Sequence, residues 1–469
     1  MLGTFLQGVQ PLSAKDTEGF SPSRIMHRAV STAITLVITQ DEFLDSVEAV
    51  ESIFLEAMYH NYSGNLHRAW KATRRAITTA QSLSIHLGFA SPSLRLLDPS
   101  SRANLDLSTL NFRLAEMDAY LSLLLGLPCS SLRTTHLTSP SALATCNPLS
   151  RLSRLHLTVQ TKIISRCGAS PSGAAEIASL DQTLRAAAQE MPPKWWLPPP
   201  FTDPTDTTAD MIRLMTHLAH YHLVLRLHLP YVLSPQHNSS KAIAVAAARE
   251  ILARFVAFRT KNVAHYYCRG SDFLSFIAMT VLCVAHIKYT AGTEGGQDMS
   301  GFEALGHARP GDRGLMERAL DIVIEARDGI SGRIERILEK LLEVEERAAE
   351  GAVYVPRTRE EIEIGLGCGG QEMGEDGLEV WIPGFGRIDF VRGIVDKGLE
   401  NKNPRTEETP HFGEQSPSFQ FDNTSGIGEL DPGWAAHEFD LQGVDFALFD
   451  ELFCNTDTFD NAPGMRSDS

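Results

Sequence analysis

The sequence predicts an all-α protein: a multi-helix regulatory-type domain, a small β-hairpin segment behind it, and a disordered C-terminal tail. Three observations carry this. Apolar residues recur at three- and four-residue steps through most of residues 41–350, and glycine or proline follows the ends of those runs. Period-two alternation is confined to a short piece near residue 380, and the last stretch is polar, acidic and poor in bulky aliphatics.

Residues 1–40 form a leader with one short helical candidate, Pro22 to Ile38. From Asp41, placed as an N-cap, the residues Phe43, Val47, Val50, Ile53, Phe54, Ala57 and Met58 make one apolar stripe, broken at Asn61 to Asn65. A second helix runs from Leu66 to His86 with Ala69, Trp70, Ala76, Ile77, Ala80 and Leu83 inward, stopping at Gly88, so the two make an αα-hairpin. Leu105 to Leu127 follows, ended by Gly126 and Pro128, and then Leu180 to Met191, stopped by Pro192 and Pro193. Pro192 to Pro204 reads as an extended connection.

Met211 to Val232, Lys241 to Arg259 and Asp272 to Tyr289 are further helices, the last apolar enough to be buried. Its apolar run, Phe273 to Ile287, is short for a membrane span, which needs ~20 residues. Gly292 to Gly314 reads as a polar loop, and Leu315 to Ala349 as helix again. There Ile330, Ile334, Ile337, Leu341 and Val344 form a seam of barely two heptads, so packing within the chain is preferred to a coiled-coil homodimer. In residues 351–400, Leu378, Val380 and Ile382 alternate with Glu379 and Trp381 ahead of a Pro383-Gly384-Phe385-Gly386 turn, the pattern of a hairpin in a linker. Residues 401–469 cannot bury enough surface to offset ordering entropy and are expected to be disordered.

Charge and cysteines narrow the function classes. Between Thr406 and Pro463 lie thirteen Asp or Glu and no Lys or Arg, which leaves 45 of the 58 acids against 42 bases elsewhere. A near-neutral body with an acidic tail lacks the cationic footprint that phosphate binding requires, so DNA is expected to be bound only weakly or indirectly. The seven cysteines are odd in number and scattered, as suits a reducing compartment. Met1 to Ser13 has no basic flank and a broken apolar run, so neither export nor membrane insertion is expected.

Two blocks carry a family resemblance. Gly64-Asn65-Leu66-His67-Arg68-Ala69-Trp70, with Ala76, Ala80 and the closing Leu83 to Gly88, resembles the opening of the fungal transcription-factor regulatory region, the middle homology region of the binuclear zinc-cluster regulators. Met117-Asp118-Ala119-Tyr120 through Gly126-Leu127-Pro128 is similar to that family's aspartate, aromatic, leucine-rich, glycine-x-proline signature. The usual Arg after Asp118 and before Pro128 is absent, and the basic run and tryptophan upstream are reduced to Arg113 and Phe112. The resemblance covers roughly residues 41–390 and marks Gly64, Trp70, Gly88, Asp118, Gly126 and Pro128 as signature positions. It implies a nuclear transcription regulator with no enzymatic activity, working through coactivators or other regulators. The family's six-cysteine zinc module needs two closely spaced Cys-x-x-Cys halves, whereas here Cys268 and Cys283 are the nearest pair. Either the chain is a zinc-less relative, or a cluster lies upstream of Met1. A helical binding protein with no transcriptional role is the alternative.

Other candidate chemistry reads as bland. Gly365 to Gly370 satisfies a dinucleotide fingerprint, but acidic residues and glycines follow it where a helix N-terminus must hold pyrophosphate, so no cofactor is expected. His217, His220, His222 and His228 share a helix, and a half-buried face with satisfied histidines is preferred to a metal or ligand pocket. Arg68, Lys71, Arg74 and Arg75 form a basic face, read as solvated in preference to a docking patch. Trp195 and Trp196 are expected to close a loop over the helical core. The tail interleaves Trp434, Phe439, Leu441, Phe446, Phe449, Leu452 and Phe453 with carboxylates, as an activation segment that folds on a coactivator groove would.

Overall fold

A computed structural model describes residues 22–87, 94–130, 137–166, 174–199, 207–234, 237–261, 269–295, 305–325, 329–358, 378–383 and 385–392. The all-α expectation holds. The helices are α1 (Pro22–Ala33), α2 (Val47–Tyr62), α3 (Leu66–Ser82), α4 (Leu107–Leu125), α5 (Pro140–Ala144) and α6 (Pro148–Arg166). They continue as α7 (Ala174–Gln189), α8 (Thr207–His228), α9 (Asn238–Lys261), α10 (Gly270–Gly295), α11 (Leu305–Glu325) and α12 (Gly329–Ala349).

Helix ends follow local chemistry, with some corrections to the sequence reading. Ser46, and not Asp41, caps α2: its hydroxyl accepts from the Ala49 N–H at 3.2 Å, while Asp41–Phe43 forms a separate 3₁₀ turn whose Phe43 faces solvent. Helix α3 stops at Ser82, and the chain turns left-handed at Ser84, φ +61°, with a 3₁₀ turn over Ile85–Leu87. Gly88 lies outside the described residues. Helix α4 is capped by the Asp106 carboxylate on the Thr109 N–H at 2.9 Å and ends on Gly126 at φ +68°, the left-handed position that favours glycine.

Helix α10 is the axis of the main core. Every residue from Phe273 to Ile287 is buried, packed against α9, α11, α12 and the sheet. Its window Gly270–Thr290 is long and apolar enough for a bilayer span, but all of it is buried within the fold. The seam of α12 also faces inward, with Ile334, Ile337, Leu341 and Val344 buried in that core. A second core joins α2 and α3 through Val50, Ile53, Ala76 and Ile77, and a third joins α4, α6, α7 and α8 through Leu123, Val159, Leu184 and Leu223.

Between helices, buried charges are matched. Arg249 holds Asp312 in a fork at 2.6 and 2.8 Å while His286 meets the same carboxylate at 2.8 Å, tying α9, α10 and α11 together. Glu345 of α12 is held by Arg309 at 2.7 Å and Arg313 at 2.9 Å from α11.

The expected hairpin, Leu378–Ile382 (β2) with Gly386–Arg392 (β3), is present, and Tyr354–Thr358 (β1) adds a third strand, giving the antiparallel order β1-β3-β2. Leu378 pairs with Phe390 and Tyr354 with Arg392. Tyr354, Val380 and Phe390 are buried in the main core, so the sheet is packed onto the helices.

Candidate functional site

Four of the signature positions, Trp70, Asp118, Gly126 and Pro128, converge where α3 crosses α4. Gly64, at φ +81°, makes the tight turn that delivers the chain from α2 into α3. One turn into α3, the Trp70 indole N–H donates to Ser122 Oγ of α4 at 3.1 Å. The Ser122 hydroxyl in turn donates to the Pro128 carbonyl at 3.1 Å. Gly126 makes this possible: its left-handed turn sends Leu127 N–H back to the Ser122 carbonyl at 2.9 Å and folds Pro128 over the helix end.

Arg74, four residues after Trp70, completes the cluster. Its guanidinium lies 4.7 Å from the Trp70 ring centroid, donates to the Pro128 carbonyl, and meets Asp118 Oδ1 at 2.8 Å. The other Asp118 oxygen accepts from the Ser130 N–H at 2.7 Å. Burial pushes the Asp118 carboxyl above the usual range, and the Ser130 N–H and Arg74 pull against that. Burial, with Asp118 nearby, also pushes the Cys129 thiol up to about 12, which makes it a packing residue without thiolate reactivity. Trp70, Asp118, Gly126 and Pro128 thus form a clasp that fixes α3, α4 and the following turn. The basic face splits accordingly: Arg74 belongs to the clasp, and Arg75 pairs with Glu56 of α2.

A second cluster lies around α8. His156 of α6 and His220 of α8 face each other, Nε2 to Nδ1 at 3.0 Å, so one neutral ring donates and the other accepts. Trp196 stacks on His217 at 5.2 Å between centroids, and Trp195 meets the same ring edge-on at 4.5 Å. Arg213 donates to the Trp195 carbonyl at 2.6 Å and Arg254 to the Trp196 carbonyl at 2.7 Å, which locks the tryptophan loop over the helix. His228 bonds Ser240 at 3.0 Å and lies 3.6 Å from Asp181. Burial, reinforced by Arg254, holds His220 down to about 4; burial and Arg226 hold His222 to about 3. These rings are neutral at pH 7. Among the described residues no group of three or more His, Cys, Asp or Glu is arranged to hold a metal.

Sequence reasoning missed Arg74, Ser122 and His156 as members of these clusters. The four-residue step from Trp70 to Arg74 is a usable signal, since it puts guanidinium and indole on one helix face. His156 carried none, because α6 itself was not foreseen. The Gly365–Gly370 run and the tail residues Trp434, Phe439, Leu441, Phe446, Phe449, Leu452 and Phe453 lie outside the described residues.

Comparison with known proteins gives the context for this scaffold. The chain is 32% identical over 415 residues to the dehydrocurvularin biosynthesis regulator of Alternaria cinerariae, covering 84% of this chain and 52% of that protein. It is 33% identical over 424 residues to the protein of the same name in Aspergillus terreus, covering 85% and 56%. Transcription factor eupR of a Phoma species is 36% identical over 246 residues, covering 50% of this chain and 52% of the relative. The chain therefore spans about half the length of the curated relatives it matches. No family model matches it, and no solved structure is significantly similar.

Proposed function

Because this chain is a homologue of fungal transcription regulators over most of its length, we propose that it regulates the genes of one biosynthesis in the nucleus, through protein partners and without catalytic activity. In this reading residues 41–350, with the strands of residues 351–400 packed onto them, are the regulatory domain, residues 1–40 a leader, and residues 401–469 the activating segment. The observation that carries the proposal is the homology to named regulators over most of this chain. Among the described residues the polar clusters are ion pairs and buried histidines, of which His156, His220 and His228 are hydrogen-bonded while His217 packs against the tryptophan rings.

The tail supplies the output. Phe446, Phe449, Leu452 and Phe453 dock as one apolar face in a coactivator groove, while Asp445, Asp450 and Glu451 steer the encounter with a basic rim. The cysteine spacings of these 469 residues do not make a binuclear zinc cluster, so promoter contact is made weakly or through another protein or segment. Deleting the coding sequence in its host and sequencing the transcripts tests the proposal. A fall confined to the genes of one biosynthesis is expected; an unchanged transcript profile under conditions where the protein is made refutes it.

A further inference from the structure

We propose that α1 and the turn behind it form a self-complementary face through which two copies of this chain pair about a two-fold axis. Among the described side chains of α1 none is fully buried, and Ile25, Met26, Ala29 and Val30, the first exposed and the others half-buried, line one side of it outside the buried cores. The helix then tightens into a π turn over Ile34–Ile38, closed by the Thr39 N–H on the Ile34 carbonyl at 3.0 Å. That turn drives Ile38 into the core beside α2 but leaves Leu36 61% and Val37 48% exposed. Phe43, 55% exposed, and Leu97, 67% exposed, continue the patch. Between them opens a shallow cavity of about 180 Å³ lined by Val37, Ile38, Phe43, Leu44 and Leu97. Most of the large apolar side chains exposed in the described residues fall in this one region, and such a concentration marks an interaction surface.

Charge identifies the occupant. Residues 22–40 carry Arg24 and Arg28 and no carboxylate, whereas residues 41–48 carry Asp41, Glu42, Asp45 and Glu48 and no base. Asp45 is paired with Arg95, and Glu48 accepts the Leu97 and Asp98 N–H groups at 3.0 and 3.3 Å; Asp41 and Glu42 are exposed. The face is thus positive at one end, apolar in the middle and negative at the other. An isologous contact pairs unlike parts of the same patch, so a two-fold axis near Leu36 and Val37 sets the basic helix of each copy beside the acidic turn of the other. A strongly acidic or strongly basic partner would match only one end. The seam of α12, buried within its own chain, contributes nothing to this pairing.

Sedimentation velocity on the full chain, over a range of concentrations and salt, tests the proposal. A dimer that weakens with added salt is expected. Leu36→Glu with Val37→Glu should yield monomer with unchanged helical circular dichroism and melting temperature, because neither side chain supports the core. Arg28→Glu and Glu42→Arg, each alone, should weaken the dimer about tenfold, and the two together in one chain should restore it, since position 28 of one copy meets position 42 of the other. A monomer at every concentration overturns the proposal, as does a dimer indifferent to the Leu36 and Val37 substitutions. A chain that dimerises only after residues 1–21 are removed also overturns it, by showing that its own N-terminal segment covers the face.

Discussion

Lowering the pH from 7 to 5 is expected to destabilise the fold by several kcal/mol through the buried histidines. Burial, with Arg68, holds His60 at about 4; His220 is at about 4 and His222 at about 3 for the causes given above. In the unfolded chain each titrates near 6.5, so between those limits the unfolded state binds more protons and stability falls as pH falls. The slope is ~1.4 kcal/mol per pH unit per histidine, so each loses about 2 kcal/mol by pH 5. Three such groups make a large fraction of the ~5–15 kcal/mol that holds a domain together. His156 adds to the effect, since protonating either ring of the 3.0 Å pair turns two facing nitrogens into two donors. Glu56, Glu116 and Asp118, raised by burial, act in the opposite sense: the folded state takes up their protons first and gains stability as pH falls through those raised values. Urea titrations followed by circular dichroism at pH 7, 6 and 5 measure the sum. The variant His156→Leu with His220→Leu isolates the pair, because it must show a shallower pH slope whatever its stability at pH 7. A native protein equally stable at pH 7 and 5, or a double variant with the parental slope, refutes the reasoning.

Further outcomes follow from the same geometry. Asp118→Ala strands Arg74, a quarter exposed, and the Ser130 N–H, and should cost about 2–4 kcal/mol in urea denaturation; in a double-mutant cycle with Arg74→Ala the two losses should fall short of additive by ~1–2 kcal/mol. Gly270→Ala would set a Cβ 2.4 Å from Tyr120 Oη, so the melting temperature should fall, by the equivalent of ~1–3 kcal/mol, and Tyr120→Phe in that background should recover part of it. Metal analysis of the purified chain should find no stoichiometric zinc, and filter binding at physiological salt should find only weak DNA affinity; two tightly held zinc equivalents would show that the cysteine spacing was misread.

The helices legible in the sequence were those with a clean apolar stripe or a glycine or proline stop, as in α2, α3 and α4. The short α5, the longer α6 and the first half of α11 escaped, the last two for different physical reasons. Helix α6 buries Arg154, His156 and Gln160 on its inner face, so polar residues interrupt the stripe that periodicity looks for. Helix α11 begins with Gly306, Pro310, Gly311 and Gly314, a composition that reads as loop. Tertiary contact explains part of it: a Cβ at position 306 would lie 2.7 Å from Tyr289 Oη, so close helix packing selects the glycine there. The clasp was legible as a set of signature residues but not as a shape, since the residues that connect them, Ser122 and Arg74, looked like an ordinary helix serine and one member of a solvated basic face.

The central claim is that this chain regulates transcription through its acidic-aromatic tail, and a tethered reporter tests it most directly. Residues 429–460 fused to an unrelated DNA-binding domain should activate, and replacing Phe446, Phe449, Leu452 and Phe453 with Ala should abolish activation. Four such side chains contribute at most ~1.5–3 kcal/mol each to docking, enough to lose a groove-bound complex even when burial is partial. Neutralising Asp445, Asp450 and Glu451 should reduce the signal less, because exposed carboxylates chiefly steer the encounter. A silent parental segment, or an alanine variant as active as the parent, would contradict the claim and leave residues 429–460 as an acidic extension without a docking face.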